Sequence, residues 1–275
     1  MLLATTWLVA LGCTSETLTR PNSVPTVNIA DIPDSAWQQL AQRRLFFGHQ
    51  SVGANLVEGL AEVLQSNPGI ALRVVETSDP TQMAEPGLYH AAIGENGAPA
   101  SKLAAFDSIV SAGVAASGVA MLKFCYVDIT GDTDPDALFA DYERRIETLR
   151  AQHPGLVIVH MTLPLQTDPG TLMYWRTVVR GKNTPWRELN WIRARYNARM
   201  RETYEGKEPL FDIAAYEAVA PDGSFTAVRF RGSSVPALAA GNTYDGGHLN
   251  EAGRRRIAEA FLVTLAQLPA PTPRE

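Results

Sequence analysis

The sequence predicts an α/β protein: a doubly wound, flavodoxin-like parallel sheet of five strands with helices on both faces, in three α/β/α layers. Three observations lead there. Five short β-rich runs recur along the chain, most of them almost continuously apolar, as strands buried on both faces are. Between them lie longer segments whose apolar residues fall at helical spacing. Past residue 35 no long linker interrupts this alternation, which is the pattern of strand–helix units wound into one sheet.

Leu45-Phe46-Phe47 is the first strand, followed by a turn over Gly48 to Gly53 and a helix whose Leu56, Val57, Leu60, Val63 and Leu64 share one face. Ile70 to Val75 is the second strand. A Gly- and Pro-rich loop from Thr77 to Gly97 then leads to a helix with Pro99 in its first turn and Leu103, Phe106, Ile109 and Val110 inside. Val119 to Ile129 is the third strand, and Asp134-Pro135 opens a helix that buries Leu138, Tyr142, Ile146 and Leu149 before His153-Pro154-Gly155 closes it. Leu156 to Met161 is the fourth strand. The helix over Trp186 to Tyr204 carries Leu189, Ile192, Tyr196 and Met200 on one stripe, and Leu210 to Ala214 is a shorter fifth strand. Asn250 is placed to cap a last helix with Ile257, Phe261, Leu265 and Leu268 inward.

The 275 residues carry 24 basic and 29 acidic side chains, a formal charge of −5, with 45% hydrophobic and 19% charged residues. This composition excludes intrinsic disorder for most of the chain and gives no basic footprint for nucleic acid. No apolar stretch reaches the roughly 18 residues that a membrane span needs. The first residues, MLLATTWLVALGC, are uncharged and followed by a Thr/Ser/Pro-rich stretch, which reads as an export signal and a tether. L-V-A-L-G-C resembles a bacterial lipoprotein signal, which implies lipid attachment at Cys13 and an exported, envelope-anchored protein. Residues 1–35 are thus expected to be signal and tether, 36–268 one domain, and 269–275 a flexible tail. Cys125, inside an apolar run, reads as a buried thiol.

In such sheets ligands gather at the carboxyl ends of the strands. F-F-G-H-Q-S-V-G, Phe46 to Gly53, puts Ser51 between a strand and a helix, where helix N-terminal amides stabilise developing negative charge. Ser51 there is a candidate nucleophile or, alternatively, a simple helix cap. Y-D-G-G-H-L-N, Tyr244 to Asn250, sets Asp245 three residues before His248 across two glycines. That spacing lets the carboxylate reach the imidazole and leave its other nitrogen free as a base. The competing reading is a capping cluster in a Gly-rich turn, or half of a metal site. The other histidines and Asp128 lack metal-ligand spacing, so neither metal nor cofactor is expected.

Together the two segments resemble the SGNH (GDSL-like) hydrolases, over about residues 44 to 268. The strongest likeness is Asp-Gly-Gly-His-Leu-Asn followed by E-A-G and an amphipathic helix; H-M-T-L-P-L (His160 to Leu165) and N-W-I-R-A-R-Y-N (Asn190 to Asn197) also look like the family's later part. The resemblance implies a serine esterase or acyl hydrolase with Ser51 as nucleophile, His248 as base and then acid, and Asp245 orienting it. It also implies oxyanion donors in I-G-E-N-G, at Gly94 or Gly97, with Asn96 nearby. Two departures stand out: Gly48-His49-Gln50-Ser51 replaces Gly-Asp-Ser, and in F-C-Y-V-D, where Asp128 aligns, Val127 takes the place of the family's Asn. Asn96, Asn55 or Gln50 are candidates to replace that donor.

Thr167 to Pro185 is long for a strand-to-helix connection, and its Trp175 and Arg176 suit a sugar or an anionic substrate in a binding lid. His90 and His160 read as hydrogen-bonded residues near the core, and Asp132, Asp134 and Asp136 as turn and cap residues. The sequence therefore points to hydrolysis of a small-molecule or carbohydrate ester, with O-acyl groups of the envelope as the candidate substrate and an acyltransferase or a silent binding protein as alternatives. No nucleic-acid partner is expected, and a membrane only through the lipid anchor.

Overall fold

The computed structural model describes residue 24 and residues 27–181 and 186–269. The proposed lipidation site, Cys13, lies outside them. Among the described residues no helix is long and apolar enough to cross a membrane.

The centre of the molecule is β1 (Arg44–His49), and its sequence shows why. Leu45 and Phe47 point into one hydrophobic core and Phe46 into another, so an unbroken apolar run is divided residue by residue between the two faces of a sheet. The same division recurs in β4 (Val119–Leu122) and β5 (Val157–Met161). With β2 (Val74–Glu76), β3 (Gly87–Ala92) and β6 (Leu210–Phe211) they form a parallel sheet in the order β2-β3-β1-β4-β5-β6. The three-layer α/β/α class is as expected, but the sheet has six strands, not five.

The added strand is β3, inside the segment read as a loop. G-L-Y-H-A-A has no β-branched residue and is bounded by Pro and Gly, so it lacks the usual strand signature. Burial decides instead, because its first five residues are inaccessible between β1 and β2. The second strand is correspondingly shorter than expected. The third ends at Leu122, after which Tyr126–Asp128 form a 3-10 turn.

One core lies beneath α1 (Asp34–Ala41), α2 (Ser51–Ser66), α7 (Ile213–Ala218) and α8 (Glu251–Ala266). The other lies beneath α3 (Pro99–Gly113), α4 (Pro135–Gln152) and α6 (Trp186–Tyr204). Asp134 and Asn250 cap α4 and α8 as expected, each accepting a hydrogen bond from a backbone N–H of the first turn. The long connection after β5 contains a further helix, α5 (Thr171–Val179). A hairpin of β7 (Ala227–Phe230) and β8 (Ser233–Pro236) packs on α6 through Phe230 and Trp191.

Helices α2 and α8 lie side by side with both N-termini at the carboxyl edge of the sheet. Gly59 allows the approach, since a Cβ there would stand 2.5 Å from Arg254 O and 3.0 Å from the Ala258 Cβ. Gly59→Ala is expected to force the helices apart and lower stability by about 1–3 kcal/mol, the usual cost of overpacking. A urea-unfolding midpoint shift checks this; an unchanged midpoint would mean that the helices separate freely.

Candidate active site

Gln50 follows β1 in an extended conformation and stands at the N-cap of α2, but its side chain makes no cap. Its amide instead donates to Ile93 O and Gly94 O, both at 2.9 Å, clamping the loop after β3 against the start of the helix. Ser51 is therefore the first helical residue, not a cap. Among the described residues its backbone N–H has no hydrogen-bond partner, and neither has that of Gly94. Ser51 thus joins a free amide and the positive end of the α2 dipole to a half-buried hydroxyl, and Gly94, whose carbonyl is held by the neighbouring Gln50, carries a second free amide. The Ser51 Oγ itself contacts Cys125 Sγ at 3.8 Å.

The second half of the site is a self-contained turn. Asp245 Oδ1 accepts from the backbone N–H groups of Gly247 (2.9 Å) and His248 (2.7 Å), while Oδ2 meets His248 Nδ1 at 2.6 Å. Burial would raise the Asp245 pKa, but these bonds from His248 and Gly247 outweigh it and hold the carboxyl at about 2. A carboxylate at Oδ2 fixes the tautomer with hydrogen on Nδ1 and leaves Nε2 as the lone-pair nitrogen. That nitrogen has no hydrogen-bond partner among the described residues. Gly246, at φ 93°, supplies the left-handed step of the turn. Tyr126 packs edge-on against the His248 ring with centroids 5.7 Å apart; a side chain at Gly247 would collide with it, a Cβ lying 2.9 Å from the Tyr126 ring.

The two halves meet along α2. Asn55, one turn after Ser51, accepts the Leu249 N–H on Oδ1 at 3.2 Å, and Leu249 follows His248. From the other side, Cys125 touches Ser51 while the adjacent Tyr126 touches His248. No hydrogen bond joins Ser51 Oγ to His248 Nε2 in this structure. Catalytic hydrogen bonds are commonly loose before substrate binds.

The proposed oxyanion residues separate. Gly97 N–H donates to Asp128 Oδ1 at 2.9 Å and is thereby used up, whereas Asn96 accepts from Lys102 Nζ on Oδ1 at 3.0 Å, which orients its side chain and leaves the Nδ2 donor unused among the described residues. Gly94, at φ 62° and within 2.6–2.7 Å of Lys102 atoms for any added Cβ, keeps its N–H free. Gln50 is spent on the two carbonyls above. Val127 is exposed, and the residue that reaches Ser51 from the end of β4 is Cys125. Trp175 and Arg176 are exposed on α5, which follows Thr167, whose N–H donates to Gly246 O at 2.9 Å.

Sequence reasoning missed the polar groups that brace the site. Lys102 and Asp128 form a fully buried ion pair (2.6 Å), and Asp128 also accepts from Cys125 N–H at 2.7 Å. The pair joins the start of α3 to the turn after β4. Lys102 lies beside Leu103 and one turn before Phe106, and a lysine on an apolar stripe was the available signal. Arg193, buried in α6, donates to Tyr126 O (2.9 Å) and Gln166 Oε1 (2.8 Å). Its neighbours at helical spacing, Asn190 and Asn197, hold the irregular chain after β5 through Gln166 and Leu163. Burial also lifts Glu217, which accepts from Leu165 N–H, to about 8.

His49 and His90 form a structural pair. His49 Nδ1 lies 3.0 Å from Gln50 O, so it carries hydrogen, and Nε2 then accepts from His90 Nδ1 at 3.1 Å. Both nitrogens of His49 are occupied, which removes it as a metal ligand or base. Among the described residues no three His, Cys, Asp or Glu side chains are placed to hold a metal ion. His160 is likewise bound on both nitrogens, by Tyr142 and Glu208.

The fold and site define a three-layer α/β/α protein with a serine, a histidine and an aspartate gathered at the carboxyl edge of its sheet. No family model and no curated protein matches the chain. Solved structures similar to it include a GDSL-like lipase from Bacteroides thetaiotaomicron, 15% identical with a TM-score of 0.48 over 86% of this chain and 93% of that one. A Streptococcus pneumonia protein, provisionally described as a platelet activating factor, is 13% identical with a TM-score of 0.47 over 86% and 94%. The periplasmic domain of a Salmonella lipopolysaccharide acetyltransferase is 10% identical with a TM-score of 0.37 over 84% and 86%. Likenesses this distant lend the chain no activity or substrate.

Burial lowers His49 to about 4, against 6.5 for a free imidazole. Because the folded value lies below the unfolded one, the stability linked to neutral His49 is complete above pH 6.5 and is lost as pH falls toward 4. In urea unfolding from pH 7 to 4.5, His49→Asn is expected to show a shallower loss than the wild type. Parallel slopes would show that His49 does not carry this proton.

Proposed function

We propose that the protein is a serine acyl hydrolase. Ser51 Oγ attacks an ester carbonyl while His248 Nε2 takes its proton, and the new oxyanion accepts hydrogen bonds from the N–H groups of Ser51 and Gly94. The imidazolium, held by Asp245, returns the proton to the departing alcohol. Water, deprotonated by the same nitrogen, then releases the acid from the acyl-enzyme. Asp245 stays ionised throughout, consistent with a pKa of about 2.

The observation that carries this reading is the Asn55–Leu249 hydrogen bond. It fastens an Asp-oriented histidine with a free nitrogen to the helix that begins at Ser51. A plain capping turn would account for Asp245 and His248 but not for their attachment beside an uncapped serine. We further propose an O-acylated carbohydrate of the bacterial envelope as substrate and Cys13 as the lipid-bearing residue, both from the sequence alone. Transfer of the acyl group to another alcohol would use the same atoms, and product analysis separates the two.

Intact-mass analysis after a fluorophosphonate probe tests the proposal. One adduct is expected on the wild type, none on Ser51→Ala, and much slower labelling of His248→Ala, with ester turnover falling on the order of 10⁴-fold in each variant. A folded wild-type protein that takes no adduct would indicate a binding protein in place of an enzyme.

A further inference from the structure

We propose that α5 is a membrane-contacting helix that rests the mouth of the site on an anionic lipid surface. Among the described residues the large hydrophobic side chains left exposed fall in two places. Leu172, Met173, Trp175, Val178 and Val179 all lie on α5; of the other two, Tyr244 stacks on the His248 ring at 6.0 Å and Val127 follows Tyr126, which packs edge-on against that ring. Soluble proteins rarely leave a contiguous apolar patch of this kind without a partner.

The helix is two-sided, and its inner side is the polar one. Tyr174 and Thr177 are half-buried, and the Arg187 guanidinium sits 4.6 Å from the Tyr174 ring centroid while pairing with Asp168 and Thr171. On the opposite face, at i, i+3 and i+7, Leu172, Trp175 and Val179 are 69%, 56% and 83% exposed. No residue of α5 is buried. An apolar face turned outward is the reverse of a helix packed on its own core.

Charge selects the partner. Residues 171 to 187 contain Arg176, Arg180, Lys182 and Arg187 and no acidic residue, in a chain whose overall charge is −5. Arg176 and Arg180 are exposed beside the apolar face. Tryptophan, branched aliphatics and flanking arginines on one exposed helix are the composition of an interfacial segment, in which the apolar side enters the acyl boundary and the cations meet anionic headgroups. The helix is only about 13 Å long and offers a convex ridge. Such a ridge suits a fluid bilayer better than a protein partner, whose stable interface requires roughly 800 Å² from each side.

Position links the surface to the site. Four residues before α5, Thr167 donates its backbone N–H to Gly246 O at 2.9 Å, and Gly246 lies between Asp245 and His248. A membrane against α5 would thus lie beside the turn that holds Asp245 and His248, with Tyr244 exposed on it. The surface is read from α5 itself and holds whether or not Ser51 is a nucleophile.

The test uses the full chain with Cys13→Ser in every arm, so that no attached lipid contributes, and vesicles of phosphatidylglycerol or of phosphatidylcholine alone. Sedimentation with phosphatidylglycerol vesicles is expected, with at least roughly tenfold weaker association for phosphatidylcholine and for Arg176→Glu with Arg180→Glu. Vesicles of acyl-brominated phosphatidylglycerol should quench tryptophan emission, and Trp175→Phe should remove most of that quenching while sedimenting as before. Three results would overturn the proposal. They are absence of sedimentation, quenching that survives in Trp175→Phe, and concentration-dependent self-association abolished by Val179→Asp, which would make a second copy the occupant. Fluorophosphonate labelling of Ser51, measured without vesicles, keeps failure of this proposal distinct from failure of the hydrolase reading.

Discussion

The parallel contact of α2 with α8 is the constraint on which the site depends. In a parallel sheet each helix returns the chain to the amino edge, so all helix N-termini emerge at the carboxyl edge where ligands bind. Two such helices in contact place their first turns side by side. Here one first turn begins with Ser51 and the other is preceded by His248, and Gly59 permits the close approach between them. The Asn55–Leu249 hydrogen bond then fixes the relative height of the two turns.

A second tier of interactions keeps the surrounding loops rigid. The buried Lys102–Asp128 pair, Gln50 on Ile93 and Gly94, and Arg193 on Tyr126 each join chain segments that leave different strands. Buried charges are costly unless paired and hydrogen-bonded, and removing one partner typically costs about 3–5 kcal/mol. Such groups contribute little net stability over an apolar core of the same volume. Their position beneath Gly94, Cys125 and Tyr126 suggests what they supply instead: loops held in one geometry around the serine and the histidine.

Much of this was legible in the sequence because it depends on local chemistry. The period of Leu138, Tyr142, Ile146 and Leu149, the caps at Asp134 and Asn250, and the Asp-x-x-His spacing are each decided within a few residues. What remained hidden depends on distant partners. β3 is a strand because β1 and β2 flank it, not because of its own composition. Gly94 and Gly97 are alike in sequence and both have positive φ, and only the position of Asp128 commits one of them. Cys125, not Val127, meets Ser51, because the strand ends at Leu122 and the chain turns into a 3-10 turn that sends Val127 outward.

The central claim is that Ser51 and His248 act as one unit although no hydrogen bond joins them in this structure. A double-mutant cycle on ester hydrolysis, with Ser51→Ala, His248→Ala and both together, measures that unit directly. Residues that act as a unit are strongly non-additive, so the double variant should be no slower than Ser51→Ala alone. Losses that multiply, with the double variant slower than either by the full product, would contradict the account and leave His248 with a role independent of the serine.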